Sequence, residues 1–282
     1  TNVGMDHMAQ LGPTIGAIAR EKVQIVKRGD LAVTGADGEA LAIMRRRCKR
    51  LDVPLEVAPP APILGWTRDA LRVDLPGLGP VDVGLRGRHQ AANVAVVEAL
   101  LDALGSVGLA SVPADARRRG YADAHWPGRL ELVEAAGREV LLDGAHNEDG
   151  ARALAQALDD LRPHLAGDPL TVVWASMADK DVAATLRAVT ATPTLDDASV
   201  IATAVDVPRA LLPDALAAAW REAARETGRR LDVRTAPTPE AALDAALATA
   251  AGPVVVAGSL YLVGEVRARL VDDPLLRDPV PA

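Results

Sequence analysis

One rhythm in the second half of the chain excludes most folds. Short apolar runs at 139–142 (EVLL), 170–174 (LTVVW), 199–204 (SVIATA), 231–234 (LDVR) and 253–257 (PVVVA) alternate with stretches of helical spacing near 148–161, 180–189, 213–226, 239–250 and 259–270. Strand and helix in strict alternation imply a parallel sheet covered by helices on both faces.

Such a domain is Rossmann-like, and its ligands sit outside the carboxyl ends of the strands. The first apolar run leaves into Asp143-Gly144-Ala145-His146-Asn147, a carboxylate, an imidazole and a carboxamide in close succession at that end. The first half of the chain is less regular. Residues 31–34 read as a short strand, 39–50 as a helix with an arginine-rich outer face, and 54–86 as short strands broken by Pro and Gly. The stretch RHQAANVAVVEALLDALG has helical spacing and is predicted to stop at Gly105. The segment from Asp115 to Pro127 is polar, with an arginine triplet and a Trp-Pro-Gly turn, and the domain boundary is placed near Trp126, giving domains 1–126 and 127–282. At 282 residues two cores of ordinary size are feasible.

Composition narrows the functional classes. A formal net charge of -7 argues against a general nucleic-acid binder, and the basic run Arg45 to Arg50 reads as a solvated helix face. No stretch is long and apolar enough to suggest a membrane span. Cys48 is the sole cysteine, so a disulfide framework or zinc-cysteine cluster within one chain is excluded and a reducing cytoplasm is the natural setting. The chain opens at Thr1-Asn2-Val3-Gly4-Met5-Asp6-His7 with no methionine, as though reading starts inside a domain, and an N-terminal truncation is expected.

The Asp143–Asn147 stretch admits three readings. It suits a polar turn in which Asp143 and Asn147 satisfy backbone donors and cap the next helix. It fits a dinucleotide or methyl-donor loop poorly, because Gly144 and Gly150 do not make G-x-G-x-x-G. It also suits a contact surface for a nucleotide or reacting phosphate, with Asp143 accepting from hydroxyls and His146 and Asn147 donating to oxygens.

Asp143-Gly144-Ala145-His146-Asn147, preceded by Pro127-Gly128-Arg129-Leu130-Glu131, resembles the start of the C-terminal domain of folylpolyglutamate synthase/dihydrofolate synthase, in the Mur ligase superfamily. Thr1 to His7, Leu11-Gly12 and Ile18 to Lys22 resemble that family's metal-binding segment, and Gly87 to Asn93 its nucleotide-facing helix. Asp179-Lys180-Asp181 and Gly258 to Glu265 resemble two later motifs in the right order. The resemblance implies an α/β fold: the remainder of a P-loop-type ATPase domain followed by a Rossmann-like parallel-sheet domain of Mur ligase type. It implies ATP-dependent addition of L-glutamate to folates or dihydropteroate through an acyl phosphate, a reaction that needs charge neutralised on the transferring phosphoryl group. It assigns His7 as a magnesium ligand and Lys22 as a carbamylated lysine that offers oxygens to Mg2+. Lys22, which burial would help to react, and His146 are the catalytic candidates. Asn93, Arg129 and Asp143 are placed at ATP, meeting an adenine edge, phosphate oxygens and ribose hydroxyls.

Simpler readings stand beside these. His7 also suits a turn cap, Lys22, Asn93 and Arg129 ordinary surface positions, and Lys180 pairing with its own neighbours; Ser259 and Tyr261 are assigned no chemistry. The sequence also departs from the family. It contains no Gly-Lys pair, which a phosphate-cradling loop requires, and it lacks the serine and glutamate of the magnesium shells and the pterin-binding segment. The 282-residue chain is therefore expected to be inactive alone. A Mur-type peptidoglycan precursor ligase and a degenerate nucleotide-binding module stay open. The expected partners are small molecules (folate or dihydropteroate, L-glutamate and ATP), with no nucleic acid or membrane, and a monomer.

Overall fold

The computed structural model describes residue 12 and residues 14 to 273. It divides into two compact units. The first comprises residues up to Gly65 with Leu71–Val83 and His89–Asp123; the second takes in Trp66–Ala70, Gly84–Arg88 and the chain from Ala124 onward.

In the first unit α1 (Ile15–Lys22) starts where the Thr14 hydroxyl accepts the Ala17 amide at 3.1 Å, and it packs on α2 (Gly38–Leu51). Ile18 and Ala19 of α1 meet Ala40 and Ile43 of α2 in a small apolar cluster. Strand β1 (Ala32–Thr34) runs parallel to β2 (Leu55–Val57). Strands β3 (Ile63–Trp66), β4 (Leu71–Leu75) and β5 (Gly79–Val83) make a second sheet, with β4 and β5 antiparallel. The long helix α3 (His89–Ser106) runs one residue past Gly105, and α4 (Ala114–Ala122) occupies the arginine-rich stretch, whose polar composition predicts no helix. Buried Glu98 of α3 holds α4 from beneath. Its carboxylate accepts from Arg117 Nη1 at 2.7 Å and from the Tyr121 hydroxyl at 2.5 Å, and burial beside that carboxylate pushes the Tyr121 phenol up.

The second unit is a six-stranded sheet in the order β10-β9-β8-β11-β7-β6. In chain order its elements are β6 (Glu131–Ala135), β7 (Arg138–Leu142), α5 (Glu148–Leu161), β8 (Thr171–Trp174), α6 (Val182–Thr190), β9 (Ser199–Ala202), α7 (Pro213–Thr227), β10 (Asp232–Thr235), α8 (Pro239–Thr249), β11 (Val254–Ala257) and α9 (Leu260–Leu270). All pairings are parallel except β6 with β7, an antiparallel edge hairpin that the alternation rule did not foresee. Alternate residues of one strand serve opposite cores. Val255 and Ala257 pack with α5, α6 and α7, whereas Val254 and Val256 pack with α8 and α9. That is why 172–174 and 254–257 are apolar throughout: neither face meets water. Trp174 and Trp220 meet edge to face at 5.4 Å, a geometry worth about 0.5–1.5 kcal/mol beyond area burial.

The two short loops counted with this unit are tied down by charge. Arg68 donates to Glu139 at 2.7 Å and Glu134 at 2.8 Å, and Arg88 grips Asp160 with two bonds of 2.7 Å. No described helix is long and apolar enough to cross a membrane.

Candidate functional site

Helices α5, α6 and α7 share one face of the sheet, and α8 and α9 share the other. Inserting β11 between β7 and β8 therefore makes adjacent strands send their exit loops to opposite faces. A crevice opens at such a switch point, beyond the carboxyl ends of the strands. A cavity of about 420 Å³ lies there, lined by His146 after β7, Met177 and Lys180 after β8, Arg209 after β9, and Gly258 to Tyr261 after β11.

Its chemistry is cationic. Lys180 has no ion-pair partner among the described residues, because its neighbours are occupied elsewhere: Asp179 pairs with Arg209 at 3.1 Å and Asp181 caps α6 by accepting the Ala184 amide. The pairing of Lys180 with its neighbours, offered by the sequence, is not what forms. Ser259 caps α9, its buried hydroxyl accepting the Tyr261 amide at 3.2 Å, so the positive end of that helix borders the cavity. His146 Nδ1 lies 2.8 Å from the Gly144 carbonyl oxygen, which can only accept, so Nδ1 carries the hydrogen and Nε2 keeps the lone pair when the ring is neutral.

Beside the cavity stands a tightly bonded turn. Asp143 is 7% exposed, and its two carboxylate oxygens accept the Leu130 and Ala145 amides, each at 2.9 Å. Burial pushes its carboxyl up, opposed by those amides and by the charges of Arg129 and His146. The bonds it makes are those of the polar-turn reading, and they leave only second lone pairs for a ribose. Asn147 likewise caps α5, accepting the Gly150 amide at 2.8 Å. Arg129 is exposed, with no carboxylate at ion-pair distance among the described residues.

In the first unit, Asn93 is exposed on α3 and donates to Gln90 Oε1 at 2.8 Å, while Gln90 Nε2 lies 3.0 Å from His89 Nε2. Its carboxamide oxygen and second N–H have no hydrogen bond among the described residues, the pair an adenine edge would use. Lys22 stands exposed on the last turn of α1, so the burial invoked for carbamylation is lacking. His7 lies outside the described residues. Among those described, no three His, Cys, Asp or Glu side chains converge as a metal site, so they do not by themselves make a magnesium shell.

Sequence reasoning passed over Arg209, which reaches the cavity from a loop after β9 and belongs to no recognisable motif. It gave Ser259 and Tyr261 no chemistry, although both line the cavity. Their place two and four residues after a fully apolar strand in the parallel pattern was the available signal.

Known proteins resemble this chain in sequence and in fold. Residues 129–270 match the family model described as dihydrofolate synthetase, C-terminal domain. The chain is 34% identical over 281 residues to folylpolyglutamate synthase of Lacticaseibacillus casei, covering 96% of this chain and 61% of that protein. It is 33% identical over 306 positions to dihydrofolate synthase/folylpolyglutamate synthase of Mycobacterium tuberculosis, covering 97% and 60%. The structure of the Mycobacterium tuberculosis folylpolyglutamate synthase complexed with ADP and AMPPCP superimposes with a TM-score of 0.74 at 30% identity, over 97% of this chain and 63% of that one. The chain thus spans about three fifths of the length of these relatives.

Proposed function

Because the chain belongs to the folylpolyglutamate synthase/dihydrofolate synthase family, we propose that it serves ATP-dependent amide formation between a folate or dihydropteroate carboxylate and L-glutamate. The γ-phosphoryl group of ATP passes to the carboxylate with loss of ADP, giving an acyl phosphate. The amine of glutamate then attacks the acyl carbon, the C–N bond forms, and the C–O bond to phosphate breaks. Within this scheme Arg129 meets a phosphate oxygen, which its planar guanidinium fork suits. The relatives crystallised with ADP support a nucleotide at this fold.

The observation that carries the reading is the cationic cavity at the switch point. Glutamate brings two carboxylates, and Lys180 and the start of α9 supply positive charge for them within one cavity, where Arg209, one Nη bound to Asp179, offers its remaining N–H groups. The attacking amine must shed a proton, and in this reading His146 Nε2, left with its lone pair by the Gly144 bond, accepts it. Magnesium would supply electrostatic stabilisation of the phosphoryl group. His7 and carbamylated Lys22 are the ligands the family resemblance implies for it, and no step above depends on them. The reading includes a cytoplasmic, monomeric ligase. It also holds that the 282 residues alone do not turn over, since no Gly-Lys pair is present to cradle the β- and γ-phosphates. The match of residues 129–270 disfavours a muramyl-peptide ligase.

Calorimetric titration of L-glutamate tests the cavity. Lys180→Ala is expected to weaken binding by roughly ten-fold or more, the scale of a lost hydrogen bond to a charged group. Unchanged glutamate affinity in both Lys180→Ala and Arg209→Ala would reject the assignment, and folate- and glutamate-dependent ADP release by the 282-residue chain would reject its inactivity.

A further inference from the structure

The loop carrying Arg129 is held far more firmly than an exposed turn requires. The Gly128 amide donates to Glu131 Oε2 at 2.7 Å, and the Gly128 carbonyl accepts from the Gly144 amide at 2.8 Å. The Arg129 amide donates to the Trp126 carbonyl at 3.1 Å. The Leu130 amide donates to Asp143, and the Leu130 carbonyl accepts from Arg86 Nη1 at 3.2 Å. Of the backbone polar groups from Gly128 to Leu130, only the Arg129 carbonyl has no described partner.

Two features make this more than a well-bonded turn. Gly128 (φ 67) and Leu130 (φ 45) both sit in the left-handed region, which a leucine occupies only at a steric cost. Two buried carboxylates are committed to backbone amides here, Glu131 at 5% and Asp143 at 7% exposure, and a buried charge is costly unless fully bonded. Glu131 in turn accepts from Arg267 Nε at 2.8 Å and lies 3.4 Å from His125 Nε2, anchoring the loop to α9, whose first turn lines the cationic cavity. The single long side chain at the centre of this bracket, Arg129, is exposed and has no carboxylate at ion-pair distance among the described residues.

We propose that Glu131 and Asp143 are positioning residues, whose carboxylates lock the Gly128–Leu130 loop in its left-handed conformation so that Arg129 presents its guanidinium at a fixed place to an anionic ligand, neither carboxylate touching that ligand. This rests on the reading above that Arg129 meets a nucleotide phosphate. It gives Asp143 a role different from the ribose contact, and it brings Glu131 into the site.

The test is a double-mutant cycle on ADP affinity of the full chain, with thermal melting and amide exchange recorded for every variant. Arg129→Ala is expected to weaken ADP binding by roughly ten-fold, as loss of a charge-assisted hydrogen bond does. Glu131→Gln should weaken it comparably with Arg129 present and have no further effect in the Arg129→Ala background, because a residue acting only through another is non-additive with it. Glu131→Gln should also speed exchange of the Gly128 and Arg129 amides while leaving β8 amides unchanged. Should that variant fail to fold, Asp143→Asn enters the same cycle with exchange read at Leu130. Equal losses in both backgrounds, or full affinity with Glu131→Gln and Arg129 intact, would overturn the positioning role alone. No ADP binding by the wild-type chain, or unchanged affinity in Arg129→Ala, would instead overturn the nucleotide reading beneath it.

Discussion

Gly258 joins β11 to α9 at the floor of the cationic cavity, and replacing it with alanine carries two separable costs. Its φ of +93° is one that L side chains rarely adopt, and a Cβ there would lie 2.3 Å from the Ala175 carbonyl oxygen and from Trp174 Nε1, and 2.4 Å from Trp174 Cε2. Trp174 has no exposed surface and is wedged against Trp220, so the ring cannot give way without opening the core. The backbone cost is about 1–2 kcal/mol and overpacking adds about 1–3, for a total of roughly 2–5 kcal/mol. Gly137 is the matched control, since it has a φ of +70° with nothing within 4 Å of its Cβ position. Gly137→Ala should cost only the backbone share. At roughly 2–4 °C per kcal/mol for a domain of this size, Gly258→Ala should melt about 4–20 °C below wild type and Gly137→Ala about 2–8 °C below. Trp126, Trp174 and Trp220 lie in the second unit and Trp66, at the end of β3, is counted with it, so tryptophan fluorescence reads chiefly that unit. Coincident melting curves for the two variants would refute the steric argument, because crowding is all that separates them.

Two further outcomes follow from the same geometry. Asn147→Ala removes the side-chain acceptor at the start of α5 and is expected to destabilise the second unit by about 1 kcal/mol, read from urea unfolding by tryptophan fluorescence; an unchanged midpoint would contradict the cap. Burial works to raise the Glu139 carboxyl, but hydrogen bonds from Arg68 and the Ala166 amide, with the charges of Arg68 and Arg162, outweigh it and hold the group below the usual range. The native state therefore binds fewer protons than the unfolded chain below about pH 4.3, and the stability this provides is lost as pH falls through the lower native value. Glu139→Gln should flatten the acid limb of the stability profile; an unaltered slope would show the pairing to be inconsequential.

What the sequence disclosed followed burial on two faces. Strands β8 and β11 were legible because both faces are covered, leaving unbroken apolar runs between helices of clear period. Strand β6 was not, since Glu131 and Glu134 interrupt it, and the reasons for those acids lie at Arg267 and Arg68, far away in the chain. Helix α4 went unread because only Tyr121 of it is buried. At the site, the Asp143–Asn147 turn was visible as a cluster of chemistry at a strand exit. The partners of its atoms were not: that Asp143 binds two amides, and that Arg209 takes Asp179 and leaves Lys180 without an ion pair among the described residues, are facts of tertiary placement.

The strand at the middle of the second unit's sheet is the last of its strands in chain order. During synthesis β7 and β8 emerge with a gap between them that only residues 254–257 can fill, so neither core can close until nearly all of this unit has left the ribosome. Until then two apolar strand edges lie open together, an invitation to wrong pairing that the cell must keep shielded. A chain stopped just short of Val254 would lose its keystone and remain an unclosed arch.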